Sequence, residues 1–164
     1  MKHTLHLDVT IRDAVAADLP KLEWFGSITP FREILDNDFA RAERQEMAFL
    51  VAEVNRFPVG QAVADFVRFS AENIGHITGL RVLEPFQRCG IASSLMDMAE
   101  QRIRQRSLKG AQLGVAKENH SALALYRKRG YIIAGELIDT WGYTDPQGIH
   151  HTVEEIEWNM QKSL

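Results

Sequence analysis

The chain has 164 residues, 45% of them hydrophobic, enough to bury one core without disulfides or a structural metal, and its single cysteine, Cys89, excludes an internal disulfide or a cysteine-based metal cluster. A formal net charge of −3 excludes the overall basic footprint of a nucleic-acid binder, and Arg102, Arg104 and Arg106 read as a solvated helix face. Residues 1–13 lack the apolar stretch of a signal peptide or membrane anchor, so no membrane association and a cytoplasmic location are expected.

In chain order, residues 6–12 alternate Leu7, Val9 and Ile11 with polar residues, the period-two pattern of a half-buried strand. Asp18 offers an N-cap ahead of Leu19, Leu22, Trp24 and Phe25, and a second helix is expected over 31–44. Residues 47–54 and 59–69 read as a hairpin linked by Asn55-Arg56-Phe57-Pro58, and 74–82 as a further strand whose Gly79 marks a bulge or a close backbone approach. Ile91, Leu95, Met98, Ala99, Arg102 and Ile103 trace one face of a helix that ends near Gly110. A short strand over 112–116 precedes an amphipathic helix over 119–129, closed by Gly130. Residues 131–143 and 152–160 then flank the turn sequence Asp145-Pro146-Gln147-Gly148, with Glu155 and Glu157 facing away from Ile156, Trp158 and Met160. The order β-α-α-β-β-β-α-β-α-β-β predicts one α+β domain over residues 1–164, with a mixed, mostly antiparallel central sheet and about four flanking helices.

One junction in this order carries chemistry. Gln87-Arg88-Cys89-Gly90-Ile91-Ala92 lies between a strand ending at Val82 and a helix starting at Ile91. The first turn of a helix leaves backbone N–H groups unpaired at the positive end of the macrodipole, which favours phosphate oxygens. Gly90 and Ala92 keep side chains clear and Arg88 adds a mobile positive charge, so the loop predicts a phosphate-bearing ligand. It lacks the Lys-Ser/Thr pair of a P-loop and the glycine fingerprint of a dinucleotide fold.

Two motifs together resemble the GNAT superfamily of acyl-CoA-dependent N-acyltransferases, and the resemblance runs from Leu7 to Met160. The first is the family's Gln/Arg-x-x-Gly-x-Gly/Ala loop, here Gln87, Gly90 and Ala92, after Leu80-Arg81-Val82; the second is Asn-x-x-Ala-x-x-x-Tyr-x-x-x-Gly-Tyr, here Asn119, Ala122, Tyr126, Gly130 and Tyr131. Gln in place of Arg, Ala in place of Gly and Cys89 at a commonly basic or polar position are departures, and none removes a backbone donor. The resemblance implies acetyl-CoA as co-substrate and no metal. It places the pyrophosphate against the amides of Gln87, Arg88, Cys89, Gly90, Ile91 and Ala92, and the pantetheine along Leu80, Arg81 and Val82 as a pseudo-strand. The strand carrying them splays from 112–116, the thioester sits where they part, and an N–H near Leu80 or Val82 faces the oxyanion.

Tyr126 is then implied as general acid to the CoA sulfur, although a Tyr spaced with Ala122 and Leu125 is by itself an amphipathic core residue. Asn119 caps its helix, hydrogen-bonds pantetheine, or does both. No motif fixes the base. His76, on the strand before the loop, is the candidate, because an imidazole of ordinary pKa about 6.5 suits proton abstraction, and the other reading is a half-exposed strand histidine. Asp65, Glu53 and Asp139 qualify only if their strands line the cleft. The acceptor wall is expected from residues 24–31 and 141–143, with Glu155 or Asp139 attracting a cationic acceptor. The predicted activity is acetyl transfer to the primary amine of a small molecule or peptide by direct attack in a ternary complex. The competing readings are a non-catalytic acyl-CoA sensor and, last, a mononucleotide binder. A homodimer is one assembly the resemblance implies.

Overall fold

The computed structural model describes residues 6–164. Its strands are β1 (Thr10–Asp13), β2 (Met47–Val54), β3 (Phe57–Phe69), β4 (Ile74–Val82), β5 (Gly110–Ala116), β6 (Ile132–Thr144) and β7 (His150–Ser163). The helices are α1 (Leu19–Leu22), α2 (Arg32–Glu43), α3 (Ile91–Gln105) and α4 (His120–Lys128). The strands form one sheet ordered β1-β2-β3-β4-β5-β7-β6, antiparallel throughout except for the parallel pair β4 and β5. A parallel pair needs a crossover, which α3 supplies.

Alternation along the strands divides the apolar residues between two layers. Leu50, Ala62, Ala64, Ile77, Leu113, Val115 and Met160 bury one sheet face against Leu95, Met96, Ala99 and Ile103 of α3 and Leu123 and Tyr126 of α4. Phe49, Val51 and Val63 bury part of the other face against Leu22, Trp24 and Leu35 from the α1–α2 segment. That second core covers the β2–β3 side of its face, and the β5–β7–β6 side carries polar and charged residues instead.

Several boundaries differ from the sequence expectation for identifiable reasons. The first strand starts at Thr10 rather than residue 6, and residues 1–5 of the expected anchor-free N-terminus lie outside the described residues. Helix α1 is a single turn because Trp24 and Phe25 adopt positive φ (45° and 60°). Trp24 is held in the core, its indole N–H donating to the Pro58 carbonyl at 2.9 Å. Asp18 makes no side-chain cap to α1; it accepts from the Val15 N–H at 2.8 Å and from both terminal nitrogens of Arg12 at 2.7 and 2.9 Å. The first hairpin turns on Asn55 and Arg56 alone, both at positive φ (49° and 63°), as a type I′ turn requires. Phe57 and Pro58 therefore belong to β3, and Pro58 sits at the register irregularity opposite Ala52 and Glu53, where a missing N–H is tolerated.

The α3–α4 layer is pinned by charge. Glu100 of α3, buried, accepts from the Tyr131 hydroxyl at 3.1 Å and from Arg129 at 3.2 Å, and from Lys162 of β7 at 2.8 Å. Helix α4 reaches this knot through its C-terminus, where the Tyr131 N–H returns to the Tyr126 carbonyl and the Gly130 N–H to that of Arg127, a Schellman closure. Glu100 thus ties α3, α4 and β7 together. Removing one member of a buried ionic cluster leaves its partners desolvated and unpaired, so Glu100→Ala is expected to lower unfolding stability by about 3 kcal/mol, read by urea denaturation.

Candidate active site

The parallel pairing of β4 with β5 lasts three residues, Ile74↔Gly110, Gly75↔Ala111 and His76↔Gln112, and then stops. The divergence has a local cause in β4. Between Gln61 and Val63 of β3 the register slips, so that Ala62 stands opposite the Gly79–Leu80 pair. The extra residue is Gly79, at φ +63°, where a Cβ is disfavoured, and the Gln61 amide donates to its carbonyl at 3.2 Å. A bulge bends its strand. Beyond it, Leu80, Arg81 and Val82 keep β3 on one side and, among the described residues, have no strand partner on the other.

The strand then runs through a short turn at Glu84–Phe86 into the loop ahead of α3. Gln87 folds back, its amide donating to the Val82 carbonyl at 2.9 Å. Arg88 (φ 63°) and Gly90 (φ 84°) both adopt the left-handed region, and nothing stands within 4 Å of where a Cβ on Gly90 would be. Gln87, Arg88, Cys89 and Gly90 are exposed and Ala92 half-buried, whereas Ile91 is buried and anchors the first turn of α3 in the core. The fifteen-residue α3 has Gly90 as its N-cap without a side-chain cap, which leaves its first amides open to an anion.

Helix α4 packs on the α3 face of the sheet through Leu123 and Tyr126. Asn119 is its N-cap, with Oδ1 accepting from the Ala122 N–H at 3.1 Å. Tyr126 is 8% exposed and meets Tyr131 edge-on at 6.1 Å. Burial, aided by the negative charge of Glu157, pushes the Tyr126 phenol up to about 12. It therefore keeps its proton at neutral pH and can donate it.

His76 lies on the opposite sheet face from Tyr126, in register with Asp65 of β3 and Gln112 of β5. It is 4% exposed rather than half-exposed, edge-on to Phe69 at 5.4 Å, with Arg68 donating to Nε2 at 3.3 Å. The neutral ring then carries its hydrogen on Nδ1, which is buried without a protein partner. Burial, reinforced by the charge of Arg68, pulls His76 down to about 4. An imidazole so weakly basic is a poor acceptor for an ammonium proton.

Around His76 this face is polar in a way no short motif displays. Arg68 also reaches Asp139 of β6 at 3.3 Å, and Arg41 of α2 pairs with Asp65 at 3.0 Å. Gln61 Oε1, Gln112 Nε2 and Asn159 Oδ1 are, like His76 Nδ1, buried side-chain atoms without a protein partner. Unmade buried hydrogen bonds cost about 1–3 kcal/mol each, so the face suits a polar occupant. Its outer wall is aromatic: Phe31 meets Trp141 at 5.8 Å and Tyr143 at 6.2 Å, with the Arg81 guanidinium 5.6 Å over Phe31. Trp24, expected in that wall, is core instead, and the exposed Phe25 stacks on Phe57. Glu53 is engaged by Arg12 at the far side of the sheet. Glu157 was not singled out from the sequence, yet burial and the neighbouring carboxylates of Asp139 and Glu155 push it up to about 7.

A separate cavity of about 660 Å³, lined in part by Asp13, Phe39, Met47, Phe66, Arg102 and Arg106, lies at the C-terminal end of α3, away from the loop. Among the described residues no group of three or more His, Cys, Asp or Glu side chains is arranged to hold a metal ion, and no helix is long and apolar enough to cross a membrane.

Comparison with known proteins bears on this geometry. The family model described as Acetyltransferase (GNAT) family matches residues 12–131. The ribosomal-protein-alanine N-acetyltransferase from Brucella melitensis superposes with a TM-score of 0.73 at 22% identity, over 94% of this chain and 99% of that one. A phosphinothricin acetyltransferase of the same superfamily from Sinorhizobium meliloti, crystallised with AcCoA, gives 0.73 at 20% identity over 95% and 88%. The PaiA N-acetyltransferase from Thermoplasma acidophilum, in complex with coenzyme A, gives 0.69 at 17% identity over 96% and 99%.

A folded-state value below the ordinary one means that His76 takes up a proton on unfolding. Its contribution to stability is accordingly complete above about pH 6.5 and is lost as pH falls from there toward about 4. Ring-resonance NMR should show His76 neutral at pH 5.5 with a midpoint near 4; a midpoint above 6 would contradict the desolvated site.

Proposed function

Because this chain belongs to the acetyltransferase (GNAT) family, we propose that it transfers the acetyl group of acetyl-CoA to a primary amine by direct attack within a ternary complex. The observation that carries this reading is the parting of β4 from β5 after His76 and Gln112, with β4 running on into the uncapped N-terminus of α3 at Gly90. An unpaired strand edge, an open helix N-terminus and a protonated phenol are the three things an acyl-CoA thioester needs.

In this reading the pantetheine amides join the free edge at Leu80, Arg81 and Val82 as a pseudo-strand, with Asn119 within its reach. The pyrophosphate takes the amides of Gln87, Arg88, Cys89, Gly90, Ile91 and Ala92, and Arg88 adds charge from outside. The Gln87 side chain, by holding the Val82 carbonyl, preorganises the turn rather than meeting the phosphate. The acetyl carbonyl lies at the mouth of the gap, where an N–H of Leu80 or Val82 receives the oxyanion. Tyr126 gives its proton to the departing thiolate, and burial keeps the phenol charged with that proton until it is needed.

The acceptor enters from the opposite face, between Phe31, Trp141 and Tyr143 and the acids Asp139, Glu155 and Glu157. Aromatic faces and carboxylates both favour a cation, so the acceptor is an ammonium before it reacts. The orphaned Gln61, His76, Gln112 and Asn159 atoms offer it donors and acceptors, which suits an amine carried on an amide- or hydroxyl-bearing body, a peptide or a polar small molecule.

Acetyl-CoA consumption should be followed against a panel comprising a peptide with N-terminal alanine, a lysine peptide, phosphinothricin and spermidine. At least one of these should be acetylated, and Tyr126→Phe should lower kcat by about 10²- to 10⁴-fold with little change in KM for acetyl-CoA. Undiminished kcat in Tyr126→Phe would falsify the acid assignment; binding of CoA without turnover of any amine would favour a sensor.

A further inference from the structure

On the polar face of the sheet, Glu157 of β7 reaches across β5. Glu157 stands opposite Ala116 of β5 and Leu137 of β6, and its carboxylate leans along the sheet until Oε2 occupies the space in which a side chain on Gly114 would start. Any Cβ at Gly114 would overlap that oxygen. Gly114 is two residues past Gln112, the last residue of β5 to pair with β4. The glycine thus leaves a channel across β5 for the carboxylate, two residues past the last pair that joins β5 to β4.

We propose that Glu157 is the general base of the reaction, taking the proton of the acceptor's ammonium at the mouth of the β4–β5 gap. The assignment rests on the acetyltransferase reading above. The carboxylate removes one proton from R–NH₃⁺ and passes it to solvent. The freed amine lone pair forms the C–N bond to the acetyl carbon, the C–S bond breaks, and Tyr126 protonates the sulfur. The second amine proton restores the phenol, so one proton ends on sulfur and one in solvent. The two residues approach from opposite sheet faces, which keeps acid and base on opposite sides of the reacting carbon.

The surroundings of Glu157 suit this task. Asp139 of β6 and Glu155 of β7 repel its negative form, Arg68 of β3 favours it less strongly, and Tyr126 of α4 faces it as a neutral phenol. Partial burial acts in the same direction as the two carboxylates, and the group titrates near about 7. His76, buried beneath Arg68 and held near 4, then serves as a neutral hydrogen-bonding wall of the acceptor side.

Glu157→Gln, assayed with the best acceptor of the panel, should lower kcat/KM by about 10²- to 10⁴-fold while the Kd for CoA, measured by titration calorimetry, stays within about twofold. In the wild type kcat/KM should rise with pH and level off above about 7. In Glu157→Gln it should keep climbing toward the amine's own pKa, because only amine already neutral in solution reacts. Asp139→Asn removes a repelling charge, lowers the Glu157 pKa and should move the wild-type inflection to lower pH. Gly114→Ala, which closes the channel, should reproduce the loss of rate in a protein that still binds CoA.

A folded-state carboxyl raised above its unfolded value costs stability as pH rises through that interval. Glu157→Gln should therefore raise Tm at pH 8 and leave it unchanged near pH 4. If Glu157→Gln keeps its rate and inflection while Tyr126→Phe is impaired, Glu157 is not the base and the acetyltransferase reading stands. If the wild type acetylates no amine of the panel, that reading falls and the base falls with it.

Discussion

The structure depends on a sheet that stops pairing in its middle. Three residue pairs join β4 to β5, and beyond His76 and Gln112 the two strands diverge although both continue. Leaving backbone groups unpaired inside a fold is costly, and the parting of β4 from β5 carries such a cost. The bulge at Gly79 bends β4 while its other edge stays bonded to β3, so the free edge is a rigid shelf. Everything proposed about the donor uses that shelf and the α3 loop that continues from it.

The parted strands also give the two faces of the sheet separate duties. On one face, α3 and α4 complete an apolar core, and the Glu100 cluster with Tyr131, Arg129 and Lys162 ties them to β7. That rigidity orients Tyr126. On the other face the apolar residues give out beyond β3, and Asp139, Glu155, Glu157, Arg68 and His76 take their place. Like charges brought together in a half-buried cleft oppose folding, and in the proposed reaction an ammonium acceptor would relieve them. The crowded acids around Glu157 are a point where local stability is given up.

What was legible in the sequence follows from how local its causes are. The amphipathic face of α3, the alternation of the strands and the turn at Asp145 are set by residues a few positions apart, and each was readable. So were the loop at Gln87 to Ala92 and the cap at Asn119, because a helix N-terminus is a short-range device. The first helix shrank because Trp24 was drawn inward to donate to Pro58, a contact across 34 positions. Asp18 was drawn from its cap by nearer partners, Arg12 six positions back and the Val15 N–H three back. His76 was legible as a strand histidine of ordinary pKa, whereas its burial beside Arg68 and Phe69 depends on strand pairing. The role proposed for Glu157 could not be found by spacing at all: its carboxylate leans over Gly114, two residues along β5 from its register partner Ala116. The available signal was an alternating acid on the last strand, and only the sheet order assigns it a partner.

The most direct test of the donor shelf is amide hydrogen exchange with and without saturating CoA. Exchange should slow at residues 79–92 and at the first turn of α4, with the cavity formed by Phe39, Phe66, Arg102 and Arg106 unaffected. Protection confined to that cavity, with the β4 edge and the α3 loop unchanged, would place the donor elsewhere and contradict the role given to the parted strands.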